Sequence, residues 1–241
     1  MPVPRLHVPL PLADGQSLLL PPGPARHVQV LRLQPGMPLV LFNGQGGEHE
    51  ATVVAMGRSE VSVQVGLHHP VQRELPVRVT LAVGMPANDR MDTVVEKATE
   101  LGAVAIQPLV CERSVLRLSG DRADKRREHW QGVATAAAEQ SGRTAVPRVL
   151  EVRTLAQWLP SVATPAGTHQ LLLSPGADPR PLPRLVPGAE VIALSGPEGG
   201  LSAAEEALAV QHGFAATALG ARILRADTAP IALMAWFALS L

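Results

Sequence analysis

The pattern of apolar and polar positions changes near residue 70. Before that point, short apolar segments alternate with turn signals, as in the alternating run Val61-x-Val63-x-Val65, which is typical of a half-buried strand. The corner Asn43–Gly47 has the composition of a hairpin loop between two such strands. The pattern predicts a small β domain over residues 1–70, followed by a polar, proline-bearing linker from His68 to Pro76.

From Val77 onwards, strand-like and helix-like segments alternate, which predicts an α/β domain with a mainly parallel sheet over residues 77–241. The predicted strands are Val77–Gly84, Val104–Val110, Pro147–Val152, Gln170–Leu173, Val191–Leu194 and Ala215–Leu219. The predicted helices are Asp89–Leu101, Asp121–Glu139, a short one near Leu155–Leu159, one that starts after Ser202, and a last one capped by Asp227 or Thr228.

Two of these strands end in glycine-bearing loops that lead into helices. Ser195–Gly200 precedes a helix whose start is marked by Ser202 and Glu205, the spacing of a capping box. Gly220–Arg225 precedes the last helix. We expect these two loops to lie side by side at the rim of the sheet where open α/β folds bind ligands, with Leu173–Gly176 as a third candidate loop.

The loops do not carry a nucleotide-phosphate motif. A P-loop needs Gly-Lys-Ser/Thr at its end, and the lysines, Lys97 and Lys125, do not follow a glycine loop. The dinucleotide pattern G-x-G-x-x-G does not follow a predicted strand either. On these residues alone, a tight strand-to-helix turn and a ligand-binding loop both remain open for Gly196–Gly200.

Composition narrows the functional classes. A formal net charge of zero argues against a protein that coats nucleic acid, and an aromatic content of 2% argues against base stacking as the main mode of RNA binding. The single cysteine, Cys111, excludes an internal disulfide and fits a small buried side chain in a reducing, cytoplasmic setting. The histidines lack metal-ligand spacing, so we expect no metal. The N-terminus has no charged start followed by an apolar segment, so we expect no export signal. The apolar run Ile231–Leu241 is too short to span a bilayer, so we expect no membrane partner.

Several separated motifs resemble one known family. The run Ser195–Ser202 (SGPEGGLS) and the run Leu219–Ala229 (LGARILRADTA) are similar to the signature of the RsmE-type methyltransferases. These belong to the SPOUT, or trefoil-knotted, class and methylate N3 of a uridine in 16S rRNA of the small ribosomal subunit, using S-adenosylmethionine. Further matches span nearly the whole chain: Pro4-Arg5, His27 to Arg32, Glu96-Lys97 to Gly102, Glu112-Arg113, Glu139 to Arg143 and Pro147. One departure is Ala226-Asp227, where the family commonly has Thr-Glu.

The resemblance implies a PUA-like RNA-binding β-barrel at residues 1–70, a SPOUT domain with a trefoil knot at 77–241, and a homodimer that uses the apolar last helix. It implies a site for S-adenosylmethionine, which carries no phosphate and therefore needs no lysine. The implied cofactor-binding residues are Leu172, Leu173, Ser174, Gly196, Pro197, Gly199, Leu219, Gly220, Ile223, Leu224 and Thr228. The implied RNA contacts are Arg5, His27, Arg32, Arg113, Gln140 and Arg143.

Methylation at uracil N3 requires loss of the N3 proton and stabilisation of negative charge on the flanking carbonyl oxygens. We expect Arg225 and Arg222 to supply the cation and Glu198 to be a candidate base, with Asp227 and Glu139 as further possible bases. Each acid has a plainer alternative: Glu198 at a helix N-terminus, and Asp227 as the cap of the last helix, which we favour.

Two other functions stay open from the sequence. The chain could be a SPOUT enzyme that acts on another RNA, or an RNA-binding ribosome assembly factor without catalysis. The basic first half of the helix Asp121–Glu139 could hold rRNA phosphates or be a solvated surface.

Overall fold

The computed structural model describes residues 3–87, 89–162, 164–176 and 182–241. The chain forms two compact units. The first comprises Met1–Glu74 together with Ala138–Val146, and the second comprises Leu75–Ala137 and Pro147–Leu241. The first unit therefore includes a segment far along the chain, which composition around residue 70 does not reveal. The functional domain limits 1–70 and 77–241 stay a prediction.

From residue 3 onwards, where its description starts, the first unit is built on a five-stranded sheet and one helix. Its elements are β1 (Arg5–His7), β2 (Ser17–Leu19), α1 (Pro22–Val30), β3 (Pro38–Phe42), β4 (Glu48–Met56) and β5 (Val61–His69). The strand order is β1-β3-β4-β5-β2; β1 pairs with β3 in parallel and the other pairs are antiparallel. The alternation predicted for β5 is confirmed, because Val61, Val63 and Val65 are all buried in the core of this unit.

Strand β5 also corrects the sequence reading of the linker. The strand continues through His68 and His69, which were assigned to the linker. Both pair with β4, at His49 and Glu48. The polar character of these histidines reflects exposure at the end of a strand, and a polar residue at a strand end is compatible with backbone pairing.

In the described part of the second unit there are seven strands and five helices. Its strands are β6 (Arg78–Gly84), β7 (Ala105–Val110), β8 (Arg148–Val149), β9 (Arg153–Thr154), β10 (His169–Leu173), β11 (Glu190–Ser195) and β12 (Ala215–Thr217). Its helices are α2 (Arg90–Glu100), α3 (Gly120–Ser141), α4 (Leu155–Trp158), α5 (Ala203–Gln211) and α6 (Thr228–Ser240), with a 3₁₀ turn at Leu159–Ser161. The end of α3 is the part that belongs to the first unit.

The sheet of the second unit has the order β12-β10-β11-β6-β7-β8, with β9 also paired to β7. Every recorded pair is parallel, which confirms the predicted mainly parallel α/β sheet. The trefoil knot implied by the resemblance stays a prediction.

The prediction of a single strand at Pro147–Val152 was wrong. The structure has two short strands, β8 opposite Ala105 and Ile106, and β9 opposite Leu109 and Val110. The interruption lies at Pro108 of β7, which has no N–H to donate to a neighbouring strand. The side-chain amide of Gln107 instead donates to the carbonyl of Glu151, 2.6 Å away.

Two predicted helix starts are confirmed. Ser202 is the N-cap of α5, with its hydroxyl accepting from the Glu205 N–H and the Glu205 carboxylate accepting from the Ser202 N–H. Asp227 is the N-cap of α6 and accepts from the Thr228 N–H at 3.0 Å. Pro230 lies in the first turn of α6, where its missing N–H breaks no helical bond.

The strand order changes how the loops lie relative to one another. Strands β11 and β12 are not neighbours, because β10 lies between them and pairs with both. The prediction that their two loops lie directly side by side was wrong in this respect. The loop after β10, considered only as a third candidate, occupies the middle position.

Candidate functional site

Three loops meet at one edge of the parallel sheet in the second unit. They follow β10, β11 and β12, which run in the same direction, so their carboxyl ends share an edge. A cavity of about 690 Å³ opens there. Its lining comprises residues 173–176, 195–201, 217, 219, 222–226 and 229, together with 90, 113 and 206. This volume is in the range of small-molecule and cofactor sites.

Most residues expected to bind a cofactor line this cavity. They are Leu173, Ser174, Gly196, Pro197, Gly199, Leu219, Ile223 and Leu224. The expected catalytic residues Arg225, Arg222 and Glu198 line it as well. Residues separated by some fifty positions in the chain are thus brought to one place by the sheet.

Three expected cofactor residues do not line the cavity. Leu172 belongs to a buried hydrophobic cluster, and alternation along β10 directs it to the face opposite Leu173. Gly220 has a φ of +86° and forms the turn after β12. Thr228 begins α6, where its N–H and its hydroxyl lie against the Asp227 carboxylate.

The loop Gly196–Gly200, here called the glycine loop, is folded too tightly for a side chain at its first position. A Cβ on Gly196 would lie 2.8 Å from the Leu201 nitrogen and 2.9 Å from the Gly200 carbonyl carbon. The turn is closed by a hydrogen bond from the Gly200 N–H to the Pro197 carbonyl, 2.8 Å long. The glycine that the sequence motif supplies is therefore a steric requirement of this turn.

The glycine loop also packs closely on the strand beside it. A Cβ on Gly84, the last residue of β6, would lie 2.6 Å from the Pro197 ring and 3.0 Å from the Cys111 sulfur. Cys111 is buried, as expected, and burial raises the pKa of its thiol to about 12. This cysteine is a packing residue beneath the loop.

Glu198 is held by groups at the start of α2. Its Oε1 accepts from the Ala87 N–H at 2.8 Å and from Arg90 Nη1 at 3.2 Å. The contact with a helix start matches the plainer alternative for this acid. Within the described residues its Oε2 makes no recorded hydrogen bond, so one oxygen still faces other partners. A role as base stays a prediction.

Asp227 and Glu139, the two further candidate bases, do not line the cavity. Asp227 does not line the cavity, and its carboxylate caps α6. Glu139 belongs to the first unit, where it accepts from the His7 N–H and contacts His27 Nδ1 at 3.2 Å. Burial raises the pKa of the Glu139 carboxyl.

Four polar residues of the cavity were missed from the sequence. Ser195 and Thr217 are the last residues of β11 and β12, and Glu206 accepts from the Ser174 hydroxyl at 3.1 Å. Arg90 is the first residue of α2. A polar residue that ends a strand at the binding edge is a usable signal for the first two. Arg90 could not be found in this way, because its place depends on β6 lying next to β11.

The cavity contains unsatisfied polar and positive groups. The Ser195 hydroxyl is buried and, among the described residues, has no hydrogen-bond partner. Arg222 and Arg225 are exposed and form no recorded ion pair with the described residues. Such groups favour a ligand that offers hydrogen bonds and negative charge.

Comparison with known proteins identifies the family. Residues 73–238 match a family model described as an RNA methyltransferase domain, and residues 25–66 match one described as an RNA methyltransferase PUA domain. The chain belongs to the RNA methyltransferase family.

Among its relatives is the ribosomal RNA small subunit methyltransferase E of Bacillus subtilis, 36% identical over 214 residues that cover 85% of this chain and 82% of that protein. The protein of the same name from Synechocystis is 36% identical over 212 residues, 86% of this chain and 67% of that protein.

Two solved structures of methyltransferases are similar over almost the whole chain. The ribosomal RNA small subunit methyltransferase E of Neisseria gonorrhoeae, bound to S-adenosyl methionine, has a TM-score of 0.88 and 35% identity, covering 97% of this chain and 95% of that one. A methyltransferase from Legionella pneumophila, in complex with the same cofactor, has a TM-score of 0.91 and 30% identity, covering 100% and 98%. The family thus carries the α/β fold with an N-terminal PUA-like domain that the sequence predicted.

In the first unit of this methyltransferase, two arginines expected to contact RNA are engaged in ion pairs. Arg143 is 3% exposed, and its guanidinium donates to the Glu74 carboxylate. Arg5 pairs with Glu48 and also donates to the carbonyls of Gly142 and Arg143, at 3.2 and 2.9 Å. These contacts hold the segment 138–146 within the unit.

The other expected RNA contacts of the methyltransferase are more accessible. Arg32 and Gln140 are exposed, and His27 is partly exposed beside Glu139. Arg113 belongs to the second unit and lines the cavity, with Nη1 donating to backbone carbonyls of the glycine loop segment. RNA-binding roles for all six residues stay predictions.

The described ranges contain neither a helix that could cross a membrane nor a metal-binding group. None of the methyltransferase helices there combines the length and the hydropathy that a membrane crossing requires. In the same ranges, no three His, Cys, Asp or Glu side chains gather as a metal-binding group.

Proposed function

We propose that this protein transfers the methyl group of S-adenosylmethionine to N3 of a specific uridine in 16S rRNA of the small ribosomal subunit. The observation that carries this proposal is the three-loop cavity with Arg222 and Arg225 on its wall. The names of the relatives support ribosomal RNA as the substrate, and the two cofactor-bound structures support S-adenosylmethionine as the methyl donor.

The residues of the cavity fit this cofactor. The glycine loop can bring its backbone close to a ligand, because Gly196, Gly199 and Gly200 line the cavity and have no side chain to stand in between. The buried Ser195 hydroxyl has no partner among the described residues and can bond to a ligand. Leu219, Ile223 and Leu224 offer apolar contact for an adenine ring, and the lining contains no lysine, consistent with a ligand without phosphate.

When bound, S-adenosylmethionine supplies an electrophilic methyl group on a sulfonium. Transfer would break the methyl carbon–sulfur bond as uracil N3 bonds to the methyl carbon, and the N3 proton would pass to a base in the cavity. Arg222 and Arg225 can stabilise the negative charge that develops on the uracil carbonyl oxygens. Glu198 can accept the proton at Oε2, since its Oε1 is occupied by Ala87 and Arg90.

A methyl-transfer assay tests the proposal. Labelled S-adenosylmethionine is supplied with small subunits from cells that lack this gene and from cells that contain it, and the modified nucleoside is then mapped. We expect N3-methyluridine to form only on subunits from the deleted strain. Cofactor binding without transfer would point to another RNA, and absence of both would refute the methyltransferase reading.

Variants of the two arginines test their assigned role. Arg225→Ala and Arg222→Ala should lower kcat by about 10²- to 10³-fold each if they stabilise the developing charge. Glu198→Gln should lower kcat and leave the fold intact. Affinity for S-adenosylmethionine, measured without RNA, should change much less for all three.

The proposal includes a homodimer in the cytoplasm. Helix α6 exposes Trp236 and Leu239, which are 53% and 87% accessible, and Leu241 follows at its end. Apolar side chains gathered in this way favour burial against a second copy. Light scattering should give twice the mass of one chain, and Trp236→Glu with Leu239→Glu should shift it towards one chain.

A further inference from the structure

The segment that follows β7 contacts the glycine loop through its arginine. Arg113 Nη1 donates to the carbonyl of Gly199 at 3.1 Å and to the carbonyl of Leu201 at 3.2 Å. The backbone of the loop also lies directly on this side chain, since a Cβ on Gly199 would be 3.0 Å from the Arg113 Cβ. The two hydrogen bonds of Nη1 are therefore directed at the glycine loop and at the residue that follows it.

Glu112, the residue before Arg113, makes a second connection to the same segment. The Glu112 N–H donates to Glu205 Oε1 at 2.9 Å, while Glu205 Oε2 accepts from the Ser202 N–H at 2.9 Å. Glu205 is 8% exposed, so these bonds are shielded from water. The pair 112–113 thus bonds to the chain on both sides of Leu201.

We propose that Arg113 is a positioning residue that holds the glycine loop in its cofactor-binding shape. The loop is rich in glycine, so its bound conformation is one of many accessible to it. Two hydrogen bonds from the Arg113 guanidinium reduce that freedom before the ligand arrives, which lowers the entropy cost of binding. This inference rests on the proposed function, and it differs from the RNA-contact role that the resemblance implies.

Equilibrium binding of S-adenosylmethionine in the absence of RNA tests the inference. Arg113→Ala should bind the cofactor about 10- to 30-fold more weakly than the wild type, the size expected from losing two charge-assisted bonds at a partly exposed site. Arg113→Lys should recover part of this loss, because an ammonium can reach one carbonyl. In steady-state assays the KM for the cofactor should rise while the KM for the small subunit stays unchanged.

Hydrogen exchange gives a readout that a contact with RNA would not move. In the free protein, amides of residues 198–201 should exchange faster in Arg113→Ala than in the wild type. Arg153→Ala is the matched control, because Arg153 is an exposed arginine that bonds to the Ser161 hydroxyl and lies outside the cavity. It should change neither the exchange nor the affinity.

The outcomes separate the inference from the proposed function. If the wild type binds no S-adenosylmethionine, the proposed function fails. If the wild type binds it and Arg113→Ala binds it equally well, the positioning role is refuted. Unchanged cofactor affinity with a raised KM for the small subunit would assign Arg113 to RNA contact. A loss of thermal stability with normal affinity would assign it to folding.

Discussion

Gly196→Ala adds a single methyl group at the start of the glycine loop, where the structure leaves no space for it. The new Cβ would lie 2.8 Å from the Leu201 nitrogen, 2.9 Å from the Gly200 carbonyl carbon and 3.1 Å from the Gly200 Cα. All three are backbone atoms, so no rotamer change can relieve the clash. The loop itself must move.

The size of the effect follows from the cost of overpacking, which is about 1–3 kcal/mol for an added methyl in a tightly packed region. If the cofactor needs the original loop shape, this cost appears in its binding free energy. We therefore expect about 5- to 150-fold weaker binding of S-adenosylmethionine, since about 1.4 kcal/mol corresponds to a factor of ten.

Isothermal titration with S-adenosylmethionine, without RNA, measures this directly. Gly132→Ala is the control, because Gly132 lies within α3 with no atom within 4 Å of the added Cβ. That change should leave the affinity unaltered and stabilise the helix by up to about 1 kcal/mol. A folded Gly196→Ala variant with wild-type affinity would refute the argument that this cavity edge binds the cofactor.

Three further predictions concern stability. Glu205→Ala should lower the free energy of unfolding in urea by about 2–4 kcal/mol, because two N–H groups lose a shielded carboxylate. As a control, Gln157→Ala in the exposed capping box of α4 should cost only about 0.5–1 kcal/mol. Similar losses in the two variants would contradict the argument that shielding strengthens the Glu205 bonds. Glu74→Ala should lower the free energy of unfolding by about 3–5 kcal/mol, because it removes the carboxylate that accepts from the buried Arg143. Glu74→Gln should not recover this stability, since its amide carries no charge. A loss below about 1 kcal/mol would contradict the assignment of this ion pair. Burial raises the pKa of the Cys111 thiol from 9.0 to about 12, so the contribution of the neutral thiol to stability is fully present below pH 9 and is lost as the pH rises towards 12. At pH 8, iodoacetamide should label Cys111 slowly in the native protein and fast in denaturant. Rapid labelling of the native protein would contradict the burial argument.

The sequence alone determined the local elements of the binding edge. The capping box at Ser202 and Glu205 involves residues three positions apart, so it forms from local hydrogen bonds and is visible in the sequence. The same is true of the alternating strand at Val61–Val65 and of the cap at Asp227. The motif resemblance adds the family, because its short signatures lie in these locally determined loops.

Tertiary structure alone decided which of these elements meet. The position of β10 between β11 and β12 places its loop at the centre of the cavity, and it follows from strand pairing over long sequence distances. Arg113 and Gly199 are 86 positions apart, so their contact has no local signature. The same holds for the burial of Arg143 and its ion pair with Glu74, which lies 69 positions away in the chain.

The physical reason for this division is the range of the interactions. Caps, turns and strand periodicity depend on a few consecutive residues, so they can be recognised directly in the sequence. Pairing of strands and burial of charges depend on the free energy of the whole packed sheet, in which each contact competes with all others. Thus the sequence determined that glycine loops follow the strands, and the fold decided that Arg90, Arg113 and Glu206 face them.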